Sequence, residues 1–158
     1  MLSELKKQWL SEDKVNPNQD ADLIPMLNEA LALEHGAIIQ YYHDKAVWTG
    51  LHQQPFADVV THNVEEEIKH VEMLTMKIVA LGGTPTVAVK GIKEGVTAKE
   101  LVANNLAAEA SALAQYYKIH EQAKDLSLRL LIETIIQDEQ EHYDNLLRLQ
   151  QTISGEPK

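Results

Sequence analysis

Residues 34–42 read Glu-His-Gly-Ala-Ile-Ile-Gln-Tyr-Tyr, and residues 109–117 read Glu-Ala-Ser-Ala-Leu-Ala-Gln-Tyr-Tyr. The two stretches match at an offset of 75, and Leu31-Ala32 pairs with Leu106-Ala107 at the same offset. Around each, apolar residues recur at helical spacing with one Glu among them. The first stripe is Leu27, Ala30, Glu34, Ile38, Tyr41, and the second is Val102, Leu106, Glu109, Leu113, Tyr116. A stripe with i, i+3, i+4, i+7 spacing is the core-facing side of a helix. The chain therefore looks like two copies of a helical half-bundle, each with a carboxylate in its apolar face.

Working outward, the breaks are few. Gly and Pro number only 7 and 5, and they cluster at Gly50 to Pro55, Gly82 to Pro85 and Gly91 to Gly95. The long segments between them are rich in strong helix formers. Four helices are predicted. The first runs from about Ala21 to Thr49. The second starts with Pro55 in its first turn and stops near Leu81 at Gly82-Gly83. The third opens on the capping-box pattern Thr97-Ala98-Lys99-Glu100 and ends near Lys124. The fourth is capped by Asp125 and runs to about Ile153. Short loops join helices one to two and three to four, which makes those pairs antiparallel neighbours. The stretch Gly82 to Val96 is long enough to travel the length of the bundle. The expected fold is all-α: a four-helix bundle over 21–153 with one long crossover between helices two and three. Residues 1–20 form an extension in which Leu2, Leu5, Trp9 and Leu10 suggest a short helix, and residues 154–158 form a tail.

The inner stripes of helices two and four are Val60, Val64, Glu67, Val71, Leu74, Ile78 and Leu128, Ile132, Ile135, Glu139, His142, Leu146, Leu149. His70 follows Glu67 by three residues, as His142 follows Glu139. Glu67 lies 33 residues after Glu34, and Glu139 lies 30 after Glu109. Each interval is the distance up one long helix and down the next to the same level. Four carboxylates then meet in the core. Burying even one without a partner costs several kcal/mol. Neither arginine, Arg129 or Arg148, falls on the stripe of helix four. Two divalent cations balance four carboxylates, and two neutral imidazoles complete the ligand set. A metal-free bundle with buried Glu–His pairs is the plainer alternative.

Composition narrows the function. Lys plus Arg is 14 and Asp plus Glu is 24, for a formal charge of −10. That balance argues against nucleic-acid binding and suits cations. There is no Cys, which removes disulfides, thiolate metal sites and thiol catalysis. No apolar run is long enough to span a membrane. Met1 to Asp13 has no apolar signal region, so a cytoplasmic location is expected.

With these residues on the page, residues 21–150 resemble the ferritin-like diiron-carboxylate family, and bacterioferritin most closely. Leu27 to Glu34, Glu67-Ile-Lys-His70 and Asp138-Glu139-Gln-Glu-His142 look like the family's ligand segments. The resemblance implies Glu34 and Glu109 as terminal ligands and Glu67 and Glu139 as bridging ligands of two irons, with His70 and His142 on one each. Manganese or zinc could stand in their place. Bacterioferritins carry a haem-ligating Met directly after the first bridging Glu. Ile68 stands there, so no haem is expected. The chain ends 16 residues after His142, which leaves no room for a complete fifth helix. That looks more like the twelve-subunit shells of Dps-like mini-ferritins, with a rubrerythrin-like dimer as the other reading.

The expected activity is that of a ferroxidase, oxidising Fe(II) with O2 or H2O2 for iron storage and detoxification. The alternatives are a non-storing diiron or dimanganese peroxidase or catalase, and a bundle whose metals are a passive staple. Tyr41 and Tyr116 each lie seven residues after a core Glu and face inward. Tyr41 is the candidate electron donor, against a plain packing role. Trp48 continues that stripe as core. His62 and Glu66, an i, i+4 pair, are either a solvated pair or a secondary iron site. Glu65, Glu141, His35, His43, His52 and His120 are expected at the surface or in helix packing.

Overall fold

In the computed structural model the described residues are 19–155. The N-terminal helix expected before them and the last three residues of the tail lie outside that range. A 3-10 turn at Ala21–Leu23 leads into α1, Ile24–Val47. It is followed by α2, Gln53–Ala80, then α3, Ala98–Gln122, and α4, Leu126–Ser154. No strand occurs among the described residues. No helix among them is long and apolar enough to cross a membrane.

The caps explain the boundaries. Pro25 sits in the first turn of α1, where a missing N–H costs nothing. After Val47 the chain turns extended at Trp48, whose ring stacks on Phe56 with centroids 4.3 Å apart. This closes the α1–α2 turn two residues earlier than the sequence reading placed it. Gly82 takes φ +85°. Gly82 N donates to Val79 O and Gly83 N to Ile78 O, both at 2.9 Å. Those bonds satisfy the last carbonyls of α2 and end it where the glycine pair predicted. Thr97 and Glu100 close a full capping box on α3. Asp125 accepts from Leu128 N at 3.1 Å to start α4. The buried Asp20 carboxylate accepts from Lys124 N and Asp125 N, both at 2.9 Å, and ties the entry of α1 to the α3–α4 turn.

Around the bundle, α1 neighbours α2 and α3, and α4 neighbours α3 and α2. Every adjacent pair is antiparallel. Thr84 to Val96 makes the crossover, running along α1. Asn28 bonds Thr84 O (3.1 Å) and Thr86 N (2.7 Å), Lys90 N donates to Ala32 O at 2.9 Å, and Gln40 both gives to Lys93 O (2.8 Å) and takes from Lys93 N (2.7 Å). Gly36 permits this contact, because a Cβ there would lie 1.6 Å from Lys90 O.

The inner stripes are buried as expected, with Ile38 and Val71 half-buried. The core falls into two blocks. One holds Leu27, Leu31, Leu74, Ile78, Ile119 and Ile132. The other holds Tyr41, Trp48, Phe56, Val60, Leu101 and Leu146. Each fully buried aliphatic or aromatic side chain contributes about 1.5–3 kcal/mol. Between the blocks lies a layer of polar side chains.

Candidate metal centre

The polar layer is made by the six residues that spacing singled out. Glu34, Glu67, Glu109, Glu139, His70 and His142 are each at most 2% exposed. They form two overlapping groups: Glu34, Glu67, His70 and Glu139 in one, Glu67, Glu109, Glu139 and His142 in the other. Within each group one ligand atom per residue lies within 4.8 Å of the rest. Glu67 and Glu139 belong to both. α1 and α3 supply one Glu each, and α2 and α4 supply a Glu and a His one turn apart, because residues i and i+3 share a helix face.

The two halves hold each other crosswise. Tyr41 on α1 donates to the Glu109 carboxylate on α3, and Tyr116 on α3 donates to Glu34 on α1. On the other side, His70 Nε2 on α2 lies 3.2 Å from Asp138 on α4, and His142 Nε2 on α4 lies 2.9 Å from Glu66 on α2. Both imidazoles therefore give their outer nitrogen to a carboxylate and turn Nδ1 inward. That arrangement fixes ring orientation and raises ligand basicity in metal sites. Glu66 is thus not simply half of a solvated pair. Its carboxylate is only 18% exposed, bonds His142, and sits 3.6 Å from the half-exposed His62. Glu65 and Glu141 are exposed.

Sequence reasoning missed Asp138, and it missed Asn63, which is buried and donates to Tyr41 OH at 3.0 Å. A signal for Asp138 existed. An acid precedes the Glu of both Glu-x-x-His segments, as Glu66-Glu67 and Asp138-Glu139. Asn63 had no signal beyond its place one turn before Glu67.

The electrostatics are those of a site short of positive charge. Among the described residues no Lys or Arg nitrogen lies within 4 Å of the four carboxylates, and only the two imidazoles bring a nitrogen that close. Burial, then the charges of Glu67 and Glu34, push the Glu139 carboxyl up to about 8. Burial and facing carboxylates raise Glu67 and Glu109 well above their ordinary range. For Glu34 burial acts in the same sense, but hydrogen bonds from Glu67, His70 and Tyr116 outweigh it and hold the group below its usual value. His70 is opposed by burial yet pushed far up by Glu139, Glu34 and Glu67. Burial and the carboxylates they face raise both tyrosines, which keeps their hydroxyl protons in place to donate.

Three buried atoms in the layer have no hydrogen-bond partner: Glu67 Oε1, Glu139 Oε1 and His142 Nδ1. His142 Nδ1 lies 3.2 Å from Glu67 Oε1, and His70 Nδ1 lies 3.0 Å from Glu139 Oε1, without the alignment a hydrogen bond needs. An unsatisfied buried polar atom costs about 1–3 kcal/mol. Lone pairs that converge on a common point without bonding each other suit a cation between them. The donor set, carboxylate oxygen and imidazole nitrogen, suits divalent iron, manganese or zinc.

A four-helix bundle with one long crossover and an inward-facing layer of four glutamates and two histidines defines the class of ferritin-like carboxylate bundles, in which two helices each give a lone Glu and the other two each give Glu-x-x-His. The family model for the ferritin-like domain matches residues 24–155, and the chain belongs to that family. It is 31% identical over 137 residues to bacterioferritin BfrA of Mycobacterium tuberculosis, covering 80% of this chain and 82% of that one. It is 28% identical over 125 residues to a bacterial ferritin of Pseudomonas aeruginosa, covering 77% and 81%. A ferritin-like, diiron-carboxylate protein of Bacillus anthracis superposes with TM-score 0.79 at 34% identity, over 84% of this chain and 98% of that one. A dodecameric thioferritin of Bacteroides fragilis shares the fold with TM-score 0.78 at 24% identity, over 90% of each chain.

Proposed function

We propose that this protein is a ferroxidase: it binds two Fe(II) ions in the polar layer and passes their electrons to O2 or H2O2, as the first step of iron storage and detoxification. The observation that carries the reading is the pair of overlapping ligand groups sharing Glu67 and Glu139. The diiron-carboxylate neighbour and the bacterioferritin relatives support iron as the metal. Glu34 and His70 would hold one ion and Glu109 and His142 the other, with Glu67 and Glu139 shared between the two groups. Bound Fe(II) supplies the electrons that the oxidant takes up. The chain's own part is positional. Asp138 and Glu66 keep each Nδ1 turned inward, Tyr41 and Tyr116 fix the terminal carboxylates, and the two apolar blocks limit water. Anionic ligands stabilise Fe(III) over Fe(II).

Two finer assignments follow. Glu66 and His62, at the α2 rim beside His142, form a staging point for iron entering or leaving. Tyr41, held between Asn63 and Glu109, supplies an electron when the oxidant demands more than iron gives. Ile39, Tyr42, Ile68, Met76 and Val79 are exposed apolar side chains on α1 and α2, which supports self-association.

The test begins with metal-free protein under anaerobic conditions. Fe(II) binding should saturate at two ions per chain, and admitting O2 should oxidise them faster than buffer alone. Saturation at one ion, or oxidation no faster than buffer, refutes the reading. Light scattering then separates the outcomes. A mass near twelve chains with a soluble ferric core supports storage. A dimer that consumes peroxide and builds no core makes the protein a non-storing peroxidase.

A further inference from the structure

The side of the bundle between α1 and α3 contains a cleft that reaches the carboxylate layer from the face away from the two histidines. Its inner end is formed by Glu34, Glu109 and Glu139. Its walls include Gly36, Ala37, Ala108 and Ala112, and the exposed Lys90 and Gly91 of the crossover stand at its mouth. The free volume is about 10 Å³, room for one water-sized molecule. At the bottom, Glu139 Oε1 is buried and has no hydrogen-bond partner.

The width of the cleft is set by the backbone. Lys90 O sits where a Cβ on Gly36 would be, and Lys90 N is bonded to Ala32 O at 2.9 Å. Gln40 clamps Lys93 on both its N–H and its carbonyl. The crossover therefore cannot lift without breaking several bonds. The α and β carbons of these four small residues offer an entering molecule no charge. Lys90 Nζ at the mouth is cationic and paired with Glu29 at 2.5 Å. Short of the carboxylates at its inner end, this path offers a metal cation no anionic group among the small residues that line it. The opposite face, between α2 and α4, presents Glu66, Asp138 and His62 and leads to the two histidines.

We propose that the α1–α3 cleft is the entry and docking place of the neutral oxidant, a molecule of two oxygen atoms, while metal ions take the α2–α4 side. The inference rests on the ferroxidase reading and adds the route and the size limit. O2 and H2O2 are uncharged and are the oxidants nearest in size to the one small molecule the cleft has room for. An organic hydroperoxide exceeds that room.

The first measurement uses metal-free, full-length protein with labelled Ala methyl groups and dissolved O2 as a paramagnetic probe. Relaxation of the Ala37, Ala108 and Ala112 methyls should rise several-fold more than that of Ala30, which is buried in the apolar block and does not line the cleft. Ala108→Leu should remove the effect at Ala37 and Ala112, and Ala103→Leu, on the exposed side of α3, should leave it. No excess over Ala30, or an excess that survives the plug, overturns the proposal. The second measurement is kinetic. In Ala108→Leu the rate at limiting oxidant should fall about tenfold, equivalent to about 1.4 kcal/mol on the barrier, with Co(II) stoichiometry and affinity unchanged. A fall with only O2 or only H2O2 assigns the cleft to that oxidant. Unchanged rates with both, or Co(II) affinity falling in parallel, overturn it. Ala37→Leu plugs the same cleft from α1 and replaces Ala108→Leu if that chain fails to fold. If the wild type oxidises no iron, the ferroxidase reading fails, while the methyl measurement still decides the cleft.

Discussion

Replacing Glu139 by Gln should make the metal-free protein more stable at neutral pH and nearly useless for metal. The Glu139 carboxyl moves from 4.5 to about 8 on folding. A raised carboxyl contributes stability that is complete below its unfolded value and is lost as pH rises through the folded value. Between 4.5 and 8 the wild type therefore loses up to about 1.4 kcal/mol per pH unit through this one group. Gln keeps the shape and does not titrate. Glu109 is raised in part by Glu139, so its own penalty eases in the variant and acts in the same direction. From pH 5 to pH 7 the advantage of Glu139→Gln should grow by about 2–3 kcal/mol. For a chain of this length that is about 5–10 °C in Tm. The assay is urea unfolding in the presence of chelator at several pH values, repeated with Zn(II), which binds without redox chemistry. With Zn(II) at about a hundred times its Kd, wild type should gain about 2.7 kcal/mol. Glu139→Gln, which has lost a ligand shared by both ions, should gain far less. A stability difference that stays flat with pH, or equal stabilisation of both chains by Zn(II), would refute a buried carboxylate layer waiting for cations.

Three further outcomes are expected. Asp138→Asn and Glu66→Gln, measured by Co(II) titration, should each weaken binding by about 10–100-fold, whereas Glu65→Gln on the exposed side of α2 should not. Tyr41→Phe strands the hydrogen-bonding groups of Asn63 and Glu109 at a cost of about 1–3 kcal/mol, read by chemical unfolding. It should also abolish any tyrosyl radical signal seen after peroxide in spin resonance, and a radical of unchanged yield would sink the electron-donor role. Gly36→Ala should push the crossover off α1, cost about 1–3 kcal/mol, and speed proteolytic cleavage between Thr84 and Val96. A cleavage rate equal to wild type would show that Lys90 yields without loss.

The four helices and the buried carboxylates they carry were legible because the period of a helix and the cost of a buried charge both constrain sequence strongly. Glu34 and Glu109 stood out only because Leu27, Tyr41, Val102 and Tyr116 flanked them at core spacing. The partners of the histidines were harder to see. Asp138 belongs to His70 across the bundle, and contacts between helices leave no period in the chain. The path of the crossover was hidden for a related reason. Its hold on α1 uses backbone groups of residues 84–93, which any side chain can carry. The same network buries Asp44, bonded by Gln40 and Asn105 at 2.8 and 2.7 Å. Helix ends shifted where tertiary contacts outweighed local preference. Trp48 left α1 to stack on Phe56, and His52 took φ 65° to begin α2.

The crosswise bonding between halves has a consequence for biosynthesis. The first half of the chain carries Glu34, Glu67 and His70, and the second carries Glu109, Glu139 and His142. Each half also depends on the other for the group that aims its ligands: Glu34 on Tyr116, His70 on Asp138. A nascent chain that has emerged only as far as α2 owns half of the ligands and none of their aligning partners. His142 leaves the ribosome only after α1, α2 and α3 have been made. The polar layer is therefore complete only once α4 has folded onto the other three helices, and a chain cut short before α4 has no finished centre.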